Sequence, residues 1–70
     1  MKRRKLIRRI AKEALRQGVH WKVHRQGASH TIYLLGSTRI PIPRHHEIGE
    51  RLALAILAEA EAELGRRWWQ

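Results

Sequence analysis

The apolar residues change period at Gly18, and that change decides what the chain can fold into. Before it, Leu6, Ile7, Ile10, Ala11, Ala14 and Leu15 recur at the three-and-four spacing that lines one face of a helix. Gly18 stands where a helix C′ residue belongs, and Arg16 sits in the last turn, where a cation suits the helix dipole. After it, Val19, Trp21 and Val23 alternate with His20, Lys22 and His24, the pattern of a half-buried strand. A one-sided helix feeding a one-sided strand must bury the two apolar faces together, so the class is α+β.

Gln26-Gly27-Ala28 breaks the first strand, and 29–35 reads as a second. In it His30, Ile32 and Leu34 share one face, here expected to be the core face, while Thr31, Tyr33 and Leu35 point the other way. Gly36-Ser37 is a hairpin signal, and 38–42 is a third strand, placed at an edge because Pro41 has no N–H for a ladder. To bring Ile40 and Ile42 onto the face of Ile32 and Leu34, the connection needs three residues and a bulge. After a loop at Arg44-His45-His46-Glu47, a last helix presents Leu52, Ile56, Leu57, Ala60 and Leu64, and it stops at Gly65. The expected elements are helix 3–17, strands 19–25, 29–35 and 38–42, helix 49–64 and a tail at 66–70, in a single domain over 1–70. The simplest arrangement is a three-stranded antiparallel meander with both helices on one face. The other face of the sheet is left open to solvent or to a partner.

A 70-residue chain buries a thin core, and this one has no cysteine to staple it or to bind a metal as thiolate. The five histidines show no metal-ligand spacing, so no metal or cofactor is expected. Charge is unevenly placed. Residues 1–38 hold ten Lys and Arg against one acid, Glu13, while residues 39–70 hold five of each. The basic half predicts a polyanionic partner: nucleic acid, an anionic membrane or an acidic protein. No apolar run is long enough to span a membrane, and Arg8 and Arg9 interrupt anything like a signal peptide after Lys5, so a cytoplasmic protein is expected.

Arg4, Arg8, Lys12 and Arg16 fall at successive i,i+4 positions and make one basic stripe. Like charges at that spacing work against a helix, and Lys2 to Lys5 crowd the end of the helix that prefers acids. Both features suit consecutive phosphates and neither suits stability. His20 and His24 flank Lys22 on the polar face of the first strand, and His45 and His46 follow Arg44 in a loop. His30 stands at the start of its strand, where a half-buried imidazole beside cations suits proton transfer or simple packing at the sheet end. Tyr33 reads either as a platform for a base or as a cross-strand aromatic, and Trp21 reads as core. Trp68 and Trp69 follow the helix stop as a frayed end or a docking surface.

In order and spacing, three features resemble the HicA family of toxin–antitoxin modules, over about Lys2 to Leu64. They are the basic amphipathic helix with Leu6-Ile7 and its closing Gly18, the turn and strand Gly27-Ala28-Ser29-His30-Thr31-Ile32-Tyr33, and the strand exit Ile42-Pro43-Arg44-His45 feeding the helix of Leu52 to Leu57. The commonest turn in that family is Gly-Ser-His, one residue shorter than here. The resemblance implies a fold similar to the double-stranded-RNA-binding domain. It also implies a metal-independent mRNA endonuclease, a catalytic histidine that maps onto His30, and neutralisation by a HicB-type antitoxin.

On that reading RNA is cut through its own 2′-hydroxyl, with His30 as general base or acid. Lys22 and Arg25 are candidate charge stabilisers, and His24 or His45 is the candidate second acid–base residue. The stripe Arg4, Arg8, Lys12 and Arg16 holds the phosphate backbone without reading sequence. Two other readings stay open: a non-catalytic RNA-binding module of the same fold, and an inactive copy whose basic face meets only an acidic antitoxin.

Overall fold

A computed structural model describes residues 1–70. The chain runs α1 (Arg3–Gln17), β1 (Trp21–Gln26), β2 (His30–Leu35), β3 (Thr38–Pro43), α2 (Glu50–Glu59) and one further helical turn, α3 (Glu61–Leu64). The strands form one antiparallel sheet in the order β1-β2-β3, so the class is α+β with an open three-stranded sheet. α1 ends as its sequence predicts. Gly18 takes φ 73°, and the Val19 N–H returns to the Ala14 carbonyl at 2.8 Å, the closing bond of a Schellman motif.

One core joins the layers. Leu6, Ile10 and Ala14 of α1 meet Leu35, Ile40 and Ile42 of the sheet and Ala53, Ile56 and Leu57 of α2, all almost fully buried. Each of the large aliphatic side chains contributes on the order of 1.5–3 kcal/mol by leaving water. Three residues expected on buried faces lie outside this core: Leu15 is 83% exposed, Val23 48% and Leu52 46%, while Ala53 takes the inward position. Leu15 belongs to the last turn of α1, just before the chain leaves for β1.

The faces of β2 are the reverse of the expected ones. Thr31, Tyr33 and Leu35 pair with Ile42, Ile40 and Thr38 and point to the helices. His30, Ile32 and Leu34 lie on the open face, and His30 is exposed. The connection to β3 is two residues long rather than three. Gly36 takes φ 58° and Ser37 has a negative φ, the pattern of a type II′ turn whose twist matches the strands. A β-bulge does occur, but in β1, between Val23 and Arg25. Both faces of β2 carry large apolar side chains, so alternation alone leaves the register ambiguous and the turn decides it. The choice gives Tyr33 a partner: its ring stacks on Trp21 at 4.4 Å and 1°. Tyr33 is therefore a cross-strand aromatic under the helices, with no place on the open face.

The predicted single helix over 49–64 breaks at Ala60. At the break the Leu57 carbonyl accepts the Trp68 indole N–H at 2.9 Å, a bond from outside the helical ladder. A side chain entering the ladder is a recognised cause of such breaks. The tail is docked rather than frayed, because Arg9 also donates to the Trp69 carbonyl at 2.6 Å and both indoles pack half-buried against the core. No helix is long and apolar enough to cross a membrane.

Candidate nucleic-acid interface

The turn between β1 and β2 carries His30, and it is held from three sides. Gly27 donates to the His30 carbonyl at 2.8 Å, and a side chain at Gly27 would crowd that oxygen. Across the turn lies Arg44, at the exit of β3. Its guanidinium donates to the Gly27 carbonyl at 2.6 Å, to the Ala28 carbonyl at 2.7 Å and to Gln26 Oε1 at 3.1 Å. Gln26 Oε1 also accepts from the Thr31 hydroxyl at 2.8 Å. Arg3, in the first turn of α1, donates to that hydroxyl oxygen at 3.2 Å and to the Pro43 carbonyl at 2.9 Å. Thr31 is only 2% exposed, so its hydroxyl needs these partners. One hydrogen-bonded chain thus ties the His30 turn to the start of α1 and to the end of β3.

His30 itself is aimed by its neighbour. Ser29 Oγ lies 3.0 Å from His30 Nδ1, which leaves Nε2 as the nitrogen for an outside group. On the same face, Lys22 and Arg39 flank Leu34 from the two outer strands, while Arg25 and Pro41 flank Ile32. His24, Arg25, Ile32, Arg39 and Pro41 line an open depression of 480 Å³. By its place in the ladder Arg25 is the diagonal neighbour of His30, a Cα separation on the order of 7–8 Å. No acidic residue occurs between Trp21 and Pro43, so nothing on the sheet offsets these cations.

The stripe on α1 lies elsewhere. Counted at 3.6 residues per turn, Arg4, Arg8, Lys12 and Arg16 point away from the buried line Leu6, Ile10, Ala14, and hence away from the sheet. Arg4, Arg8 and Lys12 are exposed. Arg16 is committed within the helix: its Nε and Nη2 donate to the Glu13 carboxylate at 2.5–3.1 Å. That pair, with a further bond from Gln17, lowers Glu13 from an ordinary 4.5 to about 2.

The structure therefore gathers Lys22, His24, Arg25 and His30 on one face and sets Arg4, Arg8, Lys12 and Arg16 on the opposite one. Only the Arg3 end of α1 approaches the His30 turn. His45 is exposed two residues past Pro43, the ladder partner of His30. Sequence reasoning missed Arg39, which becomes a neighbour of Leu34 only through the two-residue turn. It also missed Arg3, Gln26, Thr31 and Arg44, whose roles depend on contacts across the fold. Nowhere do three histidine or carboxylate side chains converge as metal ligands would. Compared with protein-family models, with curated proteins and with solved structures, the chain matches none of them.

Proposed function

We propose that this chain is an endoribonuclease toxin of the HicA type, cutting mRNA in the cytoplasm without a metal and neutralised by a HicB-type antitoxin. The observation that carries the reading is His30: an exposed imidazole, oriented through Nδ1 by Ser29, on a clamped turn beside cations that no acid offsets. An RNA strand lying on the open face brings a 2′-hydroxyl within reach of Nε2. Nε2 takes the hydroxyl proton while the 2′-oxygen forms a bond to the adjacent phosphorus. The P–O5′ bond then breaks, and the 5′-oxygen leaves with a proton from a second acid. The products are a 2′,3′-cyclic phosphate and a 5′-hydroxyl. Arg25, with Lys22 and Arg39 behind it, is placed to meet the charge that grows on the phosphorane. His24, on the wall of the same depression, is the better placed candidate for the second acid, and His45 is the alternative.

The partner would be an acidic protein, which binds the cationic open face and covers His30. A second reading, a non-catalytic RNA-binding module, draws on the fact that Ser29 is the only side chain hydrogen-bonded to the His30 ring. RNA cleavage in excess EDTA by wild type and His30→Ala separates the two. Cleavage by wild type alone, leaving cyclic phosphate ends, is the expected result, with RNA affinity of the variant kept within severalfold. Intact RNA with both proteins, at concentrations where they bind it, would refute the nuclease.

A further inference from the structure

We infer that a second nucleic-acid contact lies on the helical layer, where Trp68 and Trp69 form a stacking site for one unpaired nucleobase beside the cations of α1. The inference rests on the nucleic-acid reading above and extends it to the state of the strand, which must be single-stranded here. The indoles stand edge to face, with centroids 6.0 Å apart at 82°. Together with Arg9, Lys12 and Glu13 they line a cleft of 270 Å³, room for a nucleobase. Lys12 is exposed and stands one helical turn from Arg8, which suits phosphates on either side of a stacked base. Glu13 adds little repulsion, because Arg16 and Gln17 already engage its carboxylate.

The tail holds the indoles in place without burying them fully. Arg67 adopts φ 53°, the left-handed region that a residue with a side chain occupies at a cost. Its N–H donates to Glu61 at 2.8 Å, Trp68 donates to the Leu57 carbonyl, and Arg9 holds the Trp69 carbonyl. Both residues remain partly exposed despite these ties. Stacking on aromatic side chains beside cations is the usual way of holding a single strand without reading its sequence. The open sheet face offers no such platform, since Trp21 and Tyr33 lie on its other side.

The test uses a 2′-O-methyl oligouridine, which cannot be cleaved through its 2′-oxygen, alone and annealed to its complement. Wild type is expected to bind the single strand more tightly than the duplex, with quenching of tryptophan emission. Trp69→Leu should lose about tenfold in affinity, in the range of one stacked base, while Trp69→Phe keeps it within about threefold. Lys12→Gln, which leaves the indole packing untouched, should weaken binding and lower its salt dependence. Binding by wild type that Trp69→Leu and Lys12→Gln both leave unchanged, with unquenched emission, overturns the cleft and spares the function proposed above. No binding by wild type to either form overturns both.

Discussion

Gly36 shows how much one residue decides. It is the only position of the β2–β3 turn with positive φ, and a Cβ there would run into the Glu63 carboxylate. That carboxylate accepts from Ser37 Oγ at 3.2 Å and from Thr38 Oγ1 at 2.8 Å, so α3 closes over the hairpin. Gly36→Ala is expected to cost about 1–3 kcal/mol through backbone strain, read from urea unfolding. Adding Glu63→Ala should remove the collision and leave the strain. An unchanged unfolding midpoint in Gly36→Ala would mean that this turn does not set the register. Arg44 works at the same scale: three of its contacts fix one turn, and no pattern in the sequence distinguishes it from a solvated arginine.

At the scale of elements, the cations of α1 set helix stability against the phosphate binding proposed for them. Its outward row carries cations at i,i+4, each like-charged pair costing a few tenths of a kcal/mol, roughly. Arg8 takes part in two such pairs, with Arg4 and with Lys12. Arg8→Gln should therefore stabilise the fold slightly. In single-strand binding it should lower the slope of log affinity against log salt by about 0.7. Arg16→Gln should change that slope less, because Glu13 already neutralises Arg16. Equal slopes for Arg8→Gln and wild type would show that the stripe is a solvated face. The opposite siting of this stripe and of His30 also means that neither surface alone accounts for all the predicted RNA contacts.

The whole molecule carries a net charge of +9 and balances it with few carboxylates. Three of these are held below the usual carboxylate range: Glu13 by Arg16 and then Gln17, Glu47 by the Met1 amine and Lys2, and Glu63 by the Thr38 hydroxyl and Ser37. A group whose pKa is lower folded than unfolded contributes stability that is complete above its unfolded value. That contribution is lost as pH falls through the folded value. Thermal stability should hold from neutral to about pH 5 and then decline toward pH 2, where Glu13 titrates. Self-repulsion sharpens the decline as net positive charge grows. A Glu13→Gln, Glu47→Gln, Glu63→Gln variant should start lower at pH 7 and fall less steeply. Parallel declines in Tm for the two proteins would rule these carboxylates out as the cause.

Much of this architecture is local and could be read along the chain. The α1 pattern, its stop at Gly18, the three strands and the following helix depend on near neighbours and on backbone conformations open to few residues. So does the separation of charge between the two halves. Three features depended on the folded whole. The face of β2 turned on whether two residues or three joined it to β3, since Ile32 and Leu34 are as apolar as Tyr33 and Leu35. The break at Ala60 came from Trp68, eight residues further on, reaching the Leu57 carbonyl. The position of His30 was legible as a turn exit, but its exposure followed from register and its clamp from Arg3 and Arg44, distant in sequence. Periodicity reports which residues share a face. Which face is covered is settled only when helices and turns compete for it, because burial is a property of the assembled layers.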